Sequence, residues 1–409
     1  MVLQVIYPNC CGIDVHKTFV FACIAITDNK GIPSYYRKRF STFTHGLRDL
    51  AEWLEYYSCF DVCMESTGKY WIPVWNVLET AGIHQTLAHP KYVRAIRGKK
   101  TDKKDAKWIA DLFRHDLVVG SFMPPALIRQ LRDLIRYRWK LGNNMVSEKN
   151  RFQNSLTVSN IQLASVVSDT FGVSAQKIIK SILDKKLGDT EQLEDLIHGS
   201  LKKKLPELEL AVDGAITSDQ EAKLRVIMDH YKSLVLARTT IETEVEMRAQ
   251  PLAQEIALVR TVPGLDKPFT AISVLAETGV DMSQFPDAKH LCSWAGLTPT
   301  NNESAGKKHS VRISKAGAYL KPLLVQVANG LIKSDKYPEI KQRYQILKKR
   351  RGHKKTIIAI ARQLLTAVYH ILANHEVYNP KQFVDRPERS MSVREAVEFA
   401  KARGFDVLA

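Results

Sequence analysis

Cys11-Gly-Ile-Asp-Val-His-Lys17 runs on into Thr18-Phe-Val-Phe-Ala-Cys-Ile-Ala-Ile26, and this stretch decides the fold. Its near-continuous apolar, β-branched character predicts a central strand in a sheet covered on both faces. Asp14 is out of place in such a run. A bare carboxylate is too costly to bury, so Asp14 must be paired, neutralised or bound to a metal; an Asp that caps a turn or meets a lysine at a strand end is the plainer alternative.

Acids recur at later element boundaries. Asp28-Asn-Lys-Gly31 is a turn signal, and Ser34–Phe40 can return antiparallel as the next strand. Thr44 can cap a helix with Leu47, Leu50, Trp53 and Leu54 at helical spacing. Phe60–Glu65 then reads as a short buried strand ending in an acid just before Ser66-Thr-Gly68, where open α/β sheets place their sites. A helix at Trp71–Leu78 and a strand at Ile83–Ala88 lead to the basic loop His89–Lys100, which offers Lys99 and Lys100 to nucleic acid. The segment Thr101–Phe113 is helical, and Asp102 and Asp105 project from one face of it. Alone, these two are also what a solvated capping pair among lysines looks like. Together Asp14, Glu65, Asp102 and Asp105 supply the convergent oxygen ligands that a divalent metal needs.

Composition narrows the partner. A chain of 409 residues with 45% hydrophobic and 25% charged residues is an ordinary globular chain of two or three domains. Its 60 Lys and Arg against 43 Asp and Glu leave a net charge of +17, which points to a polyanion, with nucleic acid first among the candidates. The six cysteines sit mostly in apolar runs without C-x-x-C spacing, as reduced core residues of a cytoplasmic protein do. No apolar run suggests a membrane span or a signal peptide.

The motifs Gly-Ile-Asp-Val-His-Lys17, Met-Glu-Ser-Thr-Gly68 and Lys-Thr-Asp-Lys-Lys-Asp-Ala106 resemble the DEDD transposases of the IS-one-ten family of insertion sequences. That resemblance implies an α/β N-terminal RuvC-like (ribonuclease-H-like) domain, a mostly α-helical coiled-coil insert, and a helical C-terminal transposase domain. It carries the four acids over as catalytic metal ligands for Mg2+ or Mn2+. It also implies a bridge-RNA-guided recombinase acting on donor and target DNA as a homo-oligomer, a dimer or tetramer. Two other functions fit the same residues: a RuvC-like junction nuclease that activates water without a covalent intermediate, and a non-catalytic nucleic-acid-binding protein.

The expected domains are 1–122, catalytic; 123–255, helical; 256–380, transposase; and 381–409, a tail with a short helix from Val393 to Arg403. From Pro125, Leu127, Leu131, Leu134, Ile135 and Leu141 alternate with basic residues in a long amphipathic helix. Its basic face, Arg132 and Arg136 included, either meets phosphates or is merely solvated. Ser218–Gln250 predicts a long helix that packs or dimerises. Leu258–Glu277, with its Pro-Gly turn, resembles a helix-hairpin-helix whose turn amides can grip a phosphate; an ordinary helical hairpin has the same pattern.

Asn301–Gly317 is a polar, basic loop before a helix. It resembles the serine motif of the same family, in which a serine attacks the DNA phosphodiester. By its place in Asn-Glu-Ser-Ala-Gly that role passes to Ser304, with Ser310 and Ser314 as lesser candidates. The resemblance further implies that acids and serine come from different protomers, with Lys307, Lys308, Arg312 and Lys315 holding the phosphate or strands. Helices at Tyr337–Gln345 and Thr356–Leu372 flank Lys348–Lys355, a basic loop that offers Lys349, Arg350 and Arg351 to nucleic acid.

Overall fold

The computed structural model describes residues 4–65, 68–93, 102–184, 190–299, 302–304, 307–310, 312–380 and 397. Two compact units divide between Pro124 and Pro125. The expected tail lies outside the described residues, apart from residue 397.

In the first unit, β1 (Asn9–Val15) turns back into β2 (Phe19–Thr27), and β3 (Pro33–Ser41) pairs antiparallel with β2. The run expected as one strand is thus a hairpin. As a single strand, sixteen residues would extend over roughly 50 Å, far beyond an ordinary sheet. The polar His16-Lys17-Thr18 is where it folds, and the His16 amide donates to the Phe19 carbonyl at 2.9 Å. Helix α1 (Thr44–Tyr56) leads to β4 (Asp61–Glu65), and α2 (Trp71–Thr80) leads to β5 (His84–Ala88). Thr44 is the first helical residue and not the cap, since Phe43 occupies the cap position without a side-chain bond. Helices α3 (Pro90–Val93) and α4 (Asp102–Arg114) follow.

The sheet order is β3-β2-β1-β4-β5, with β4 parallel to both β1 and β5. Alternation sends Cys11, Ile13, Val62 and Met64 into a core that also contains Leu47, Leu50 and Leu54 of α1 and Leu78 of α2. Cys10, Ala25, Cys63 and Ala88 face the opposite way, onto Ile109, Ala110 and Phe113 of α4. Burial pushes the Cys10 and Cys63 thiols up to about 12, so they stay protonated core residues.

Gly12 sets how closely α4 approaches. A methyl group at that position would overlap the Ala106 carbonyl and the Ala110 amide. Gly12→Ala is accordingly expected to push α4 off the sheet and to cost about 3 kcal/mol. Thermal unfolding of the full chain should show a midpoint lower by about 10 °C, whereas an unchanged midpoint would mean that the helix does not depend on that contact.

The second unit is built on two long helices, α5 (Ala126–Val158) and, after α6 (Leu163–Val166), α7 (Val173–Leu183), α8 (Thr190–Asp195) and α9 (Leu205–Val212), α10 (Ser218–Ala249). Ile128, Leu131 and Ile135 near the start of α5 pack with Val245 and Ala249 near the end of α10. Phe152 and Leu156 near the end of α5 share a core with Leu224 and Ile227 near the start of α10. The two therefore run antiparallel, and Leu224, Ile227, Leu234 and Val245 of α10 are buried within the chain, whereas Val226, Leu236 and Met247 are exposed.

The remaining elements are α11 (Ala253–Val259), α12 (Pro268–Thr278), α13 (Ala288–Trp294), strands β6 (Asn302–Ser304) and β7 (Lys307–Ser310), α14 (Leu320–Leu331), α15 (Pro338–Arg351) and α16 (His353–Asn374). Helix α16 is long and apolar enough to cross a membrane by length and composition. Here Ile360, Leu364, Val368 and Ile371 are buried in the protein, so it is a core helix.

Candidate functional site

The candidate site lies at the carboxyl edge of β1 and β4. The parallel ladder pairs Gly12 with Cys63 and Ile13 with Met64, so the next step sets Asp14 beside Glu65 on strands about 4.8 Å apart. Cys63 faces α4, and alternation gives Glu65 the same face; Asp14 shares the face of Gly12.

The position of α4 follows from the same register. The Cys10 thiol donates to the Ala110 carbonyl at 3.7 Å, and Gly12 abuts Ala106 and Ala110. Two residues of strand and four of helix both advance about 6 to 7 Å. Asp14 therefore comes level with the first turn of α4, the turn that begins at Asp102 and carries Asp105. Acids in a first helical turn are stabilised by the helix dipole, a local reason for the Asp-x-x-Asp start.

Asp14 is 13% exposed, Glu65 and Asp105 are half-buried, and the side chain of Asp102 lies outside the described residues. The Asp14 carboxylate is bonded to His16 Nε2 at 3.1 Å, and the imidazole stacks on Phe19 with centroids 4.5 Å apart. Sequence reasoning assigned His16 no role, although its spacing of two from Asp14 on a strand already placed both on one face. Among the described residues, no group of three or more His, Cys, Asp or Glu side chains stands close enough to hold a metal ion. The donor set is nevertheless of the right kind for a hard divalent cation, all carboxylate oxygen, drawn from two adjacent strands and a helix start.

Asp111, two turns further along α4, belongs to a different arrangement. It accepts from the Tyr35 hydroxyl at 2.5 Å and from Lys107 Nζ at 3.2 Å, and burial, then the bond to Asp111 and its charge, raise the Tyr35 hydroxyl well above its ordinary value. It ties α4 to β3.

The basic residues divide into two groups. Arg136 makes a two-pronged pair with the buried carboxylate of Glu277, at 2.7 and 2.8 Å, and Arg132 donates to the carbonyls of Ala276 and Glu277 at 2.7 and 3.0 Å. Through these bonds both arginines hold α5 to the end of α12. Lys349, Arg350 and Arg351 are exposed, but they form the last turn of α15 and not a loop, where cations offset the helix dipole. Arg312 and Lys315 are exposed too. Lys99 and Lys100 lie outside the described residues.

The segment expected as a loop around Ser304 contains a two-stranded antiparallel sheet, with Ser304 ending β6 and paired to Lys307 at the start of β7. The side chains of Ser304, Lys307, Lys308 and Ser310 lie outside the described residues. Ser314 is half-buried, and its carbonyl accepts from Lys321 Nζ at 2.6 Å.

Comparison with known proteins supplies two family matches, the first of which runs from the first unit into the second. Residues 11–161 match a family model for DEDD transposases of the IS110 type, described as "Transposase", and residues 256–345 match one described as "Transposase IS116/IS110/IS902 family". The chain is 23% identical to a pilin gene-inverting protein of Moraxella lacunata over 392 residues, 90% of this chain and 97% of that protein. It is 28% identical to a pilin gene-inverting protein of Moraxella bovis over 134 residues, 32% of this chain and 40% of that protein.

Proposed function

We propose, on the premise that this chain belongs to the IS116/IS110/IS902 family of transposases, that it cuts and rejoins DNA strands by serine attack assisted by a divalent metal held at the acidic edge of its first unit. As a family member it is a transposase that acts on DNA. The metal and the serine are our reading, and one observation supports it: the β1–β4 register through Ile13 and Met64, which carried one step further brings Asp14 next to Glu65.

The sheet order, two antiparallel strands beside β1 and parallel strands beyond it, supports the ribonuclease-H-like RuvC form. Asp14, Glu65, Asp102 and Asp105 would hold Mg2+ or Mn2+. Such an ion, when bound, polarises a phosphodiester and lowers the pKa of an attacking hydroxyl. The bond from His16 Nε2 would steady the Asp14 carboxylate. Ser304 Oγ forms a bond to phosphorus, the bridging P–O bond to deoxyribose breaks, and the departing oxygen takes up a proton to leave a free hydroxyl. Reversal on a second strand rejoins the DNA, which is what gene inversion, the activity in the relatives' names, requires. Acids and serine come from different protomers of a homo-oligomer in this reading. A structured bridge RNA chooses donor and target, and sequencing the RNA that copurifies with the chain checks that element: one discrete species is expected.

A suicide DNA substrate tests the mechanism. A protein–DNA adduct that survives denaturation is the expected product. Free ends without an adduct would indicate a water-activating nuclease, and binding without cleavage a non-catalytic protein.

A further inference from the structure

The second unit carries a cleft of about 960 Å³ that strand exchange, as described, does not use. It opens among α5, α12 and α14, with the turn of the α11/α12 hairpin on its rim. Gly264 fixes that turn: its φ is +77°, and a methyl group there would meet Val327 and Leu331 of α14.

Aromatic rings and cations share the lining. Arg138 lies 4.6 Å over the ring of Phe269 and Lys336 5.4 Å over Tyr337, while Tyr319 carries Arg136, which does not line the cleft, 4.7 Å over its ring. All three rings are half-buried and reach the cleft. The acids are largely spoken for. Glu277 is taken by Arg136, and Glu242 is shared by Arg138 at 2.7 Å and Arg238 at 2.9 Å. Exposed Lys267 and Lys336 outnumber Asp266 on the rim, so the cleft keeps a positive balance. Lys267 to Thr270 also line it, which places the start of α12 and the positive end of its dipole on the wall.

Flat rings, a positive rim and a helix start are what base faces and phosphates bind, and a duplex hides its base faces. A cleft of this volume takes a few nucleotides and cannot enclose a duplex. We propose that it holds an unpaired DNA strand, with bases stacked on Phe269, Tyr319 and Tyr337 and phosphates on Lys267 and Lys336. The choice of DNA rests on the transposase reading above, since an enzyme that breaks and rejoins strands must hold an unpaired segment during exchange.

The test uses the full chain without divalent metal and a short fluorescein-labelled oligothymidylate, with a duplex of equal length as comparison. The double substitution Lys267→Glu, Lys336→Glu is expected to weaken single-strand binding about tenfold and duplex binding less than about twofold. An oligonucleotide carrying 5-iododeoxyuridine should crosslink under ultraviolet light to Phe269, Tyr319 or Tyr337. Wild-type affinity in the variant, or crosslinks confined to other peptides, would overturn the proposal. Tighter binding of oligouridylate than of oligothymidylate would assign the cleft to RNA and overturn it as well. No strand is cut without metal, so failure here leaves the acidic site untouched, and failure of the adduct assay leaves this result standing.

Discussion

Asp14→Asn is expected to lower strand cleavage by about a thousandfold while leaving the thermal midpoint of the chain close to that of the wild type. The amide fills the same space between β1 and α4 and can still bond to His16, so packing is preserved. The negative charge is lost, and with it the capacity to hold a cation. Glu65→Gln, on the adjacent strand, should behave in the same way. Asp111→Asn is the control, because its carboxylate, on the same helix as Asp102 and Asp105, ties Tyr35 of β3 and Lys107. It should lower the midpoint and spare cleavage. If Asp14→Asn cuts DNA at wild-type rate, or loses activity only in proportion to lost stability, the acidic edge is structural.

Ser304→Ala should abolish the covalent adduct entirely, because without Oγ there is no atom to carry the phosphate. The residue sits at the end of β6 in the second unit, whereas Asp14 and Glu65 belong to the first. If different protomers supply them, mixing Ser304→Ala with Asp14→Asn should restore the adduct, and the DNA should be attached to the Asp14→Asn protomer. That label distinguishes exchange between protomers from residual activity of either variant. An adduct formed by Ser304→Ala alone would move the role to another residue, Ser310 or Ser314 first.

The acids were legible in the sequence because each breaks a local pattern: Asp14 within an apolar run, Glu65 at a strand end before a glycine, and Asp102 and Asp105 three apart at a helix start. The hairpin of β1 and β2 was not, since His16-Lys17-Thr18 is a weak turn signal within a long apolar run and only the length of a strand argues for the fold-back. The basic residues divided for a reason that lies outside any local window. Arg136 and Glu277 are far apart in sequence and meet only because α12 packs on α5. The same is true of α10, whose apolar stripe suited a second chain as well as it suited α5. Lys348 to Arg351 were expected as a loop because charge outweighed helix propensity in the sequence, yet Gly352, with φ at +74°, is where the helix ends.

Binding of Mn2+ to the purified full chain, followed by electron paramagnetic resonance as the free-ion signal disappears, tests the acidic site most directly. Saturable binding that is lost in Asp14→Asn and in Glu65→Gln, and retained in Asp111→Asn, is the predicted result. Equal binding by the wild type and the Asp14 and Glu65 variants would contradict it.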